Sequence, residues 1–112
     1  MHTVVETQSY LAAAKELLGQ EEMAKVVDAV AANPELGEVM RGTGGFRKFR
    51  AARPGMGKRG GVRVIYIYRN ADFPAFLVKV YAKNVKDNLT MAERNVLKKT
   101  ADEIFEKYGV KR

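Results

Sequence analysis

The stretch Val62-Arg-Val-Ile-Tyr-Ile-Tyr68 decides the fold of this 112-residue chain. Its β-branched and aromatic side chains predict a strand. A glycine-rich loop over 53–61 and a strand over 46–51 are predicted before it, and a turn over 70–74 and a strand over 76–82 after it. Three successive strands joined by loops predict a largely antiparallel sheet.

Alternation along the strand 76–82 predicts one apolar and one polar face. Phe76, Val78, Val80 and Ala82 are expected to share one face and pack in the core. The opposite face is expected to carry Leu77, Lys79, Tyr81 and Lys83, and so to present two cations and a phenol.

Helical segments flank the predicted strands on both sides. Apolar residues recur at helical spacing over 10–18 and again over 23–31. They predict a helical hairpin that ends at Asn33-Pro34, since the residue before a proline disfavours helical backbone. Thr90-Met-Ala-Glu93 matches a capping box, which predicts the start of a closing helix. A short extended segment over 2–7 precedes the hairpin.

The predicted order is β-α-α-β-β-β-α, a compact single α+β domain over residues 1–112 with a mostly antiparallel four-stranded sheet packed by helices. The chain has no cysteine and a single histidine, His2, beside the first methionine. Disulfides and cysteine-based zinc sites are therefore excluded, and no metal site or cofactor is expected. Because no apolar run is long enough to span a membrane, a cytoplasmic location without a membrane partner is expected.

Charge is strongly segregated along the chain. Residues 1–38 carry two basic and seven acidic side chains, whereas residues 39–71 carry nine basic side chains and no acidic one. Clustered lysines and arginines attract phosphate backbones through counterion release. The segment 39–71 therefore predicts a nucleic-acid surface rather than a solvated face that only aids solubility.

Three motifs follow one another along the predicted strands: Phe46-Arg-Lys-Phe-Arg50, then Arg63-Val-Ile-Tyr-Ile-Tyr68, then Val80-Tyr-Ala-Lys83-Asn. With this order and spacing, essentially the whole chain resembles the RelE/ParE toxin superfamily, and most closely its HigB-like, RelE-type branch. The resemblance implies the toxin of a type II toxin–antitoxin pair, an endoribonuclease that cleaves translated mRNA in the ribosomal A site, beside 16S rRNA. It also implies a cognate antitoxin, expected to be a helix-turn-helix protein, through which alone the toxin reaches operator DNA.

The resemblance also suggests candidate catalytic residues. Lys48 and Arg50 match the family's basic strand, Arg63 matches the arginine that opens the next strand, and Lys83 matches the basic residue that ends the last one. Lys58, in the glycine-rich loop, is a further candidate. RelE-type relatives often place a catalytic tyrosine shortly after that last basic residue, and this sequence has none there.

These residue types suit RNA cleavage without a metal ion or a histidine. The 2′-hydroxyl of RNA attacks the adjacent phosphate once it is aligned, so the enzyme must stabilise negative charge and move protons. Arg50 and Arg63 offer planar donors to the phosphate oxygens. A lysine crowded by other cations holds its proton less tightly and can act as acid or base, which suggests Lys48, Lys83 and Lys58, in that order.

A second group of residues is expected to bind RNA without taking part in the chemistry. Tyr66 and Tyr68 either stack on a base or belong to the core. Together with Tyr81, they are the remaining sources of a phenol for the reaction; the alternative is a reaction that proceeds without one. The charges expected to dock on ribosomal RNA are Arg47, Arg53, Arg59 and Lys79.

Two other functions fit the same sequence. A ParE-like toxin on this fold would inhibit DNA gyrase by binding, with no RNA chemistry. A non-enzymatic RNA-binding module would use all of its basic residues for affinity. The cation cluster and Lys83 favour the nuclease, since a gyrase inhibitor needs no phosphate-directed site.

Overall fold

The computed structural model describes residues 1–53, 61–83 and 88–109, which form three helices and five strands. None of these described helices combines the length and the hydrophobicity needed to cross a membrane. The strands form one sheet in the order β1-β5-β4-β3-β2. The elements in chain order are β1 Val4–Glu6, α1 Gln8–Leu17, α2 Gln20–Ala32, β2 Glu38–Val39, β3 Phe46–Ala51, β4 Val62–Ile67, β5 Ala75–Ala82 and α3 Met91–Gly109.

The α+β architecture is confirmed, with two differences in the sheet. The short strand β2 pairs with β3, so the described residues form five strands rather than four. It forms because a glycine turn folds the chain back: Gly42, Gly44 and Gly45 adopt positive φ, and Met40 N donates to Phe46 O at 2.8 Å. The sheet is mixed, since β1 runs parallel to β5 whereas the other strand pairs are antiparallel.

The predicted alternation along β5 is wrong in its first half. The register between β4 and β5 shifts beside Val78, as it does at a β-bulge. Before the bulge, Leu77 is buried on the side of α1 and α2, and Phe76 packs on the side of α3. Val80 lies with Leu77, so Phe76 and Val80 belong to opposite faces. The sequence does not reveal such an extra residue, because most positions of β5 are apolar and the alternation shows no visible break.

The hairpin of α1 and α2 covers one face of the sheet. Thr7 caps α1: its Oγ1 accepts from Tyr10 N at 3.3 Å and donates to Leu77 O at 2.8 Å, which ties the helix to β5. Asn33 caps α2 just before Pro34, as predicted. The core on this side buries Tyr10, Ala14, Leu18, Val26, Val30, Val62, Val64, Tyr66, Ala75, Leu77 and Val80.

The closing helix α3 packs on the opposite face. Its capping box is confirmed, since Thr90 N donates to Glu93 Oε1 at 2.9 Å and Glu93 N donates to Thr90 Oγ1 at 3.1 Å. The cluster that α3 covers contains Phe46, Ile65, Ile67, Phe76, Leu97 and Ala101. This cluster lies toward one end of the sheet, and the other end of the same face carries polar side chains.

Candidate nucleic-acid interface

Three neighbouring strands place a row of polar side chains on the sheet face beside the α3 cluster, against which Tyr81 packs. Arg50 of β3 lies directly opposite Arg63 of β4, and Arg63 lies directly opposite Tyr81 of β5. Arg50 is exposed, and the other two are half-buried. Neighbouring strands are about 4.8 Å apart, so the three backbone positions span about 10 Å. We call these three side chains the arginine row.

Lysines lie on both sides of the arginine row. In the next row, Lys48 is opposite Ile65, which is opposite Lys79. On the other side, Lys83 follows β5 directly, and its backbone N donates to Gly61 O at 3.0 Å, which extends the β4–β5 ladder. Strand alternation places Lys83 on the same face as Lys79. The structure therefore gathers predicted cations from three strands, and we call this set the cation face: Lys48, Arg50, Arg63, Lys79 and Lys83.

The cation face has features that folding alone does not favour. Four of its cations lie on β3, β4 and β5, and these strands contain no acidic residue. Like charges directly opposite each other across a sheet are destabilising, and Arg50 and Arg63 form such a pair. The Nε atom of Arg63 is buried and has no hydrogen-bond partner among the described residues. Such atoms are rare and cost about 1–3 kcal/mol each, but Arg47 Nε and the Tyr10 hydroxyl, away from this face, are in the same state. The opposed arginines, rather than the unpaired Nε, therefore distinguish the cation face.

A carboxylate lies at the edge of the cation face. Glu38 of β2 is opposite Lys48, and its Oε1 is 3.8 Å from Lys48 Nζ. The Glu38 side chain is largely exposed, so water screens the pair and its contribution to stability is small. The contact therefore helps to position the Lys48 ammonium group and adds little to the stability of the fold.

Comparison with protein families identifies the chain. The family model for the RelE toxin of the RelE/RelB toxin–antitoxin system matches residues 3–110. This chain belongs to the RelE toxin family. It is therefore the toxin of a toxin–antitoxin system, with a cognate antitoxin as partner, and the RelE resemblance of the sequence is confirmed. Its place in the HigB-like branch stays a prediction.

Two residues expected to bind RNA lie on the other face of this RelE-family toxin. Tyr66 is fully buried, and its hydroxyl donates to Pro34 O at 2.7 Å and accepts from Gly37 N at 2.8 Å. Burial raises the pKa of Tyr66. Arg47, opposite Tyr66, donates through Nη1 to Glu35 O at 3.2 Å and to Gly37 O at 2.8 Å. The structure thus supports the core alternative for Tyr66, and it gives the Arg47 side chain two backbone carbonyl partners away from the cation face. The docking role of Arg47 stays a prediction.

The remaining predicted residues lie away from the arginine row or outside the description. Tyr68 is half-buried, with its ring against that of His2 at a centroid distance of 5.1 Å. It packs against the core cluster on the side of α1 and α2, and it lies five residues along the chain from the arginine row, about 16 Å. Arg53 is half-buried two residues after β3. Lys58 and Arg59 lie outside the described residues.

The structure adds two residues to the surroundings of the cation face, one beside Arg63 and one beside Lys48. Tyr81 is the one of the three candidate tyrosines that stands beside Arg63, and its alternation with Lys79 and Lys83 is the sequence signal for it. Glu38 has no such signal. It belongs to the acidic first third of the chain, and only the pairing of β2 with β3 brings it next to a lysine.

Proposed function

We propose that this RelE-family toxin is an endoribonuclease that enters the ribosomal A site in the cytoplasm and cleaves the translated mRNA there. The arginine row is the observation that supports it. Two opposed arginines on adjacent strands lower stability, and a bound phosphate would offset that cost. A toxin that cuts RNA has a use for such a phosphate site, whereas a toxin that only binds gyrase has none.

The proposed reaction is attack of an RNA 2′-oxygen on the adjacent phosphorus. The new P–O bond forms as the bond to the 5′-oxygen breaks, which leaves a 2′,3′-cyclic phosphate on one fragment and a 5′-hydroxyl on the other. Arg50 and Arg63 donate to the nonbridging oxygens, whose negative charge grows in the transition state. Because both lie on paired strands, their backbones need little reorganisation during the reaction.

Proton transfer is assigned to groups on either side of the arginine row. Lys48 comes two residues before Arg50 and Lys83 two residues after Tyr81, so each is about 7 Å along its strand from the row. In-line displacement needs one group to take the 2′-proton and another, across the phosphorus, to protonate the leaving oxygen. Lysines on both sides of a bound phosphate meet this requirement, with Lys58 a further candidate. The proposal needs neither a metal ion nor a cofactor.

The other basic side chains are assigned to docking on the ribosome. Lys79 adjoins the arginine row and Arg53 follows β3, and both would contact phosphates of 16S rRNA without entering the reaction. Arg59 keeps the same predicted role. The antitoxin is proposed to be a helix-turn-helix protein that carries the toxin to operator DNA.

The test is to express the toxin in a bacterial host and to map mRNA 5′ ends with translation active and with translation blocked. We expect new 5′ ends inside reading frames that disappear when translation is blocked. DNA damage with intact mRNA would contradict the proposal and favour a gyrase inhibitor. Binding to RNA without any cleavage would favour a non-enzymatic module.

A further inference from the structure

A small pocket lies between α2 and the end of β3. Its volume is about 210 Å³, which is below the roughly 300 Å³ at which pockets for drug-sized ligands begin. It therefore suits one small ring system rather than a helix or a strand of a protein partner. We call it the α2 pocket. Its apolar walls come from Val26, Ala29, Phe49, Ala51 and Ala52.

The α2 pocket opens at an edge of the sheet. Strand β2 pairs with Arg47 and Lys48, and no described strand covers the outer side of β3 beyond them. Phe49 packs on the side of α1 and α2, and strand alternation directs Arg50 to the opposite side. Both residues line the pocket, so the pocket extends around the uncovered edge of β3 toward the cation face.

Arg50 connects the α2 pocket with the arginine row. It lies opposite Arg63, and it also lines the pocket. A base is joined to its phosphate through a single sugar, so a phosphate bound by Arg50 brings the base of a flanking nucleotide close to the pocket. RNA bound at the arginine row can therefore reach the pocket without leaving the phosphate site.

The apolar part of the α2 pocket suits the flat face of a base. Phe49 is half-buried, and its ring packs edge-to-face with the Tyr66 ring at a centroid distance of 5.7 Å. Because Tyr66 is fully buried and its hydroxyl is hydrogen-bonded, the Phe49 ring packs against a fixed neighbour. Bases of single-stranded RNA leave their stack and pack on aromatic side chains that are held in this way.

The polar part of the pocket disfavours other occupants. Glu22 lines the pocket and would repel a phosphate, whereas its carboxylate can accept hydrogen bonds from the N–H groups of a base. An apolar side chain of a protein would desolvate Glu22 and Arg50 without pairing them. Lys25 also lines the pocket, and its Nζ is 3.4 Å from Glu21 Oε1. Both of these side chains are largely exposed, so the pair is weak and Lys25 can contact a phosphate next to the bound base.

We propose that the α2 pocket binds the base of a nucleotide that flanks the cleaved phosphate. Holding this base away from its neighbours fixes the RNA backbone across the arginine row. A fixed backbone is what alignment of the 2′-oxygen, the phosphorus and the 5′-oxygen requires. The inference rests on the proposed function, since it takes the phosphate bound by Arg50 to be the one that is cleaved.

The first test fills the pocket. Ala29→Leu enlarges a wall residue on α2, and Ala52→Leu does the same just after β3, so the test does not depend on the folding of one variant. Ala24→Leu is the matched control, at an exposed position of α2 outside the pocket. On ribosomes programmed with mRNA, we expect both filled variants to cleave at least about fivefold more slowly, which is the usual minimum for the loss of one base contact. The control should cleave at the unmodified rate, and thermal melting checks the folding of all three variants.

The second test removes the base instead of filling the pocket. The substrates are three mRNAs, each lacking one base of the codon in the ribosomal A site. We expect the unmodified toxin to lose at least about fivefold in cleavage rate on one of them. The filled variants should cleave that mRNA as they cleave the complete one, because the two changes remove the same contact and their effects do not add.

Three results would overturn the proposal: cleavage of all three abasic mRNAs at the full rate, losses that multiply when a filled variant meets an abasic mRNA, or equal slowing by Ala24→Leu. Binding of the same mRNAs, made uncleavable by 2′-deoxy substitution in the codon, separates the pocket from the proposed function. If the toxin cleaves no mRNA, the proposed function is wrong. Weaker binding of one abasic mRNA by the unmodified toxin, but not by the filled variants, would still support the α2 pocket as a base site, and equal binding of all mRNAs would refute it.

Discussion

Tyr10 and Tyr66 are both fully buried, yet removing their hydroxyl groups should change stability in opposite directions. The Tyr66 hydroxyl donates to Pro34 O and accepts from the buried amide of Gly37. The Tyr10 hydroxyl is buried and has no hydrogen-bond partner among the described residues. Tyrosine-to-phenylalanine substitution keeps each ring and removes only the oxygen, so the two variants form a matched pair.

The structure sets the size of the two effects. Tyr66→Phe leaves the Gly37 amide buried without a partner, and an unsatisfied buried donor costs about 1–3 kcal/mol. Tyr10→Phe removes a buried hydroxyl that makes no bond, so the free energy of unfolding should rise by about 1 kcal/mol. For a domain of this size, 1 kcal/mol changes Tm by about 4 °C. The two variants should therefore melt at least about 8 °C apart.

Urea unfolding and thermal melting, both followed by circular dichroism at neutral pH, measure the two effects. Both variants should cleave mRNA as the unmodified toxin does, because neither hydroxyl lies on the cation face. Equal stability of Tyr66→Phe and the unmodified toxin, or a loss of stability in Tyr10→Phe, would refute the reasoning about the two hydroxyl groups. A stable, folded Tyr66→Phe variant that fails to cleave mRNA would indicate that the Tyr66 hydroxyl takes part in the reaction.

Two further predictions concern the same core. Gly37→Ala should lower the free energy of unfolding by about 1–3 kcal/mol, because its Cβ would lie 2.9 Å from both Lys48 O and Tyr66 Cε1; an unchanged urea midpoint would contradict this close approach. Burial, and secondarily the charge of Glu6, raises the pKa of Tyr10 to about 12, so above about pH 10 the unfolded chain loses its phenol proton before the folded chain does. Stability should fall by on the order of 2–3 kcal/mol between about pH 10 and pH 12, and identical alkaline slopes for the unmodified toxin and Tyr10→Phe would contradict the assignment.

The sequence predicted those parts of the fold that depend on local chemistry. Pro34 ends α2 because its ring disfavours helical backbone in the preceding residue, and Thr90 with Glu93 starts α3 through two side-chain hydrogen bonds. Both signals lie within a few residues of the feature that they determine. The same holds for β4, whose β-branched and aromatic run forms a strand within one residue of the predicted end.

Features that depend on pairing between distant segments could not be predicted. The bulge beside Val78 is fixed by how β5 packs against two different layers, and the β2 pairing that brings Glu38 to Lys48 depends on a turn of glycines. For the candidate site, the sequence indicated which residue types matter. The register that sets Arg50 opposite Arg63, and that buries Tyr66 on the far face, required the structure.

Cleavage of a translated reporter mRNA by Arg63→Ala tests the central claim most directly. Lys15→Ala is the control, since it removes a cation from an exposed position on α1. Circular dichroism and antitoxin binding establish that both variants are folded. We predict that Arg63→Ala loses at least tenfold in cleavage rate, and about 10²–10³-fold if its guanidinium contributes what one oxyanion donor usually does, while Lys15→Ala cleaves normally. A folded Arg63→Ala toxin that cuts translated mRNA at the unmodified rate would contradict the account.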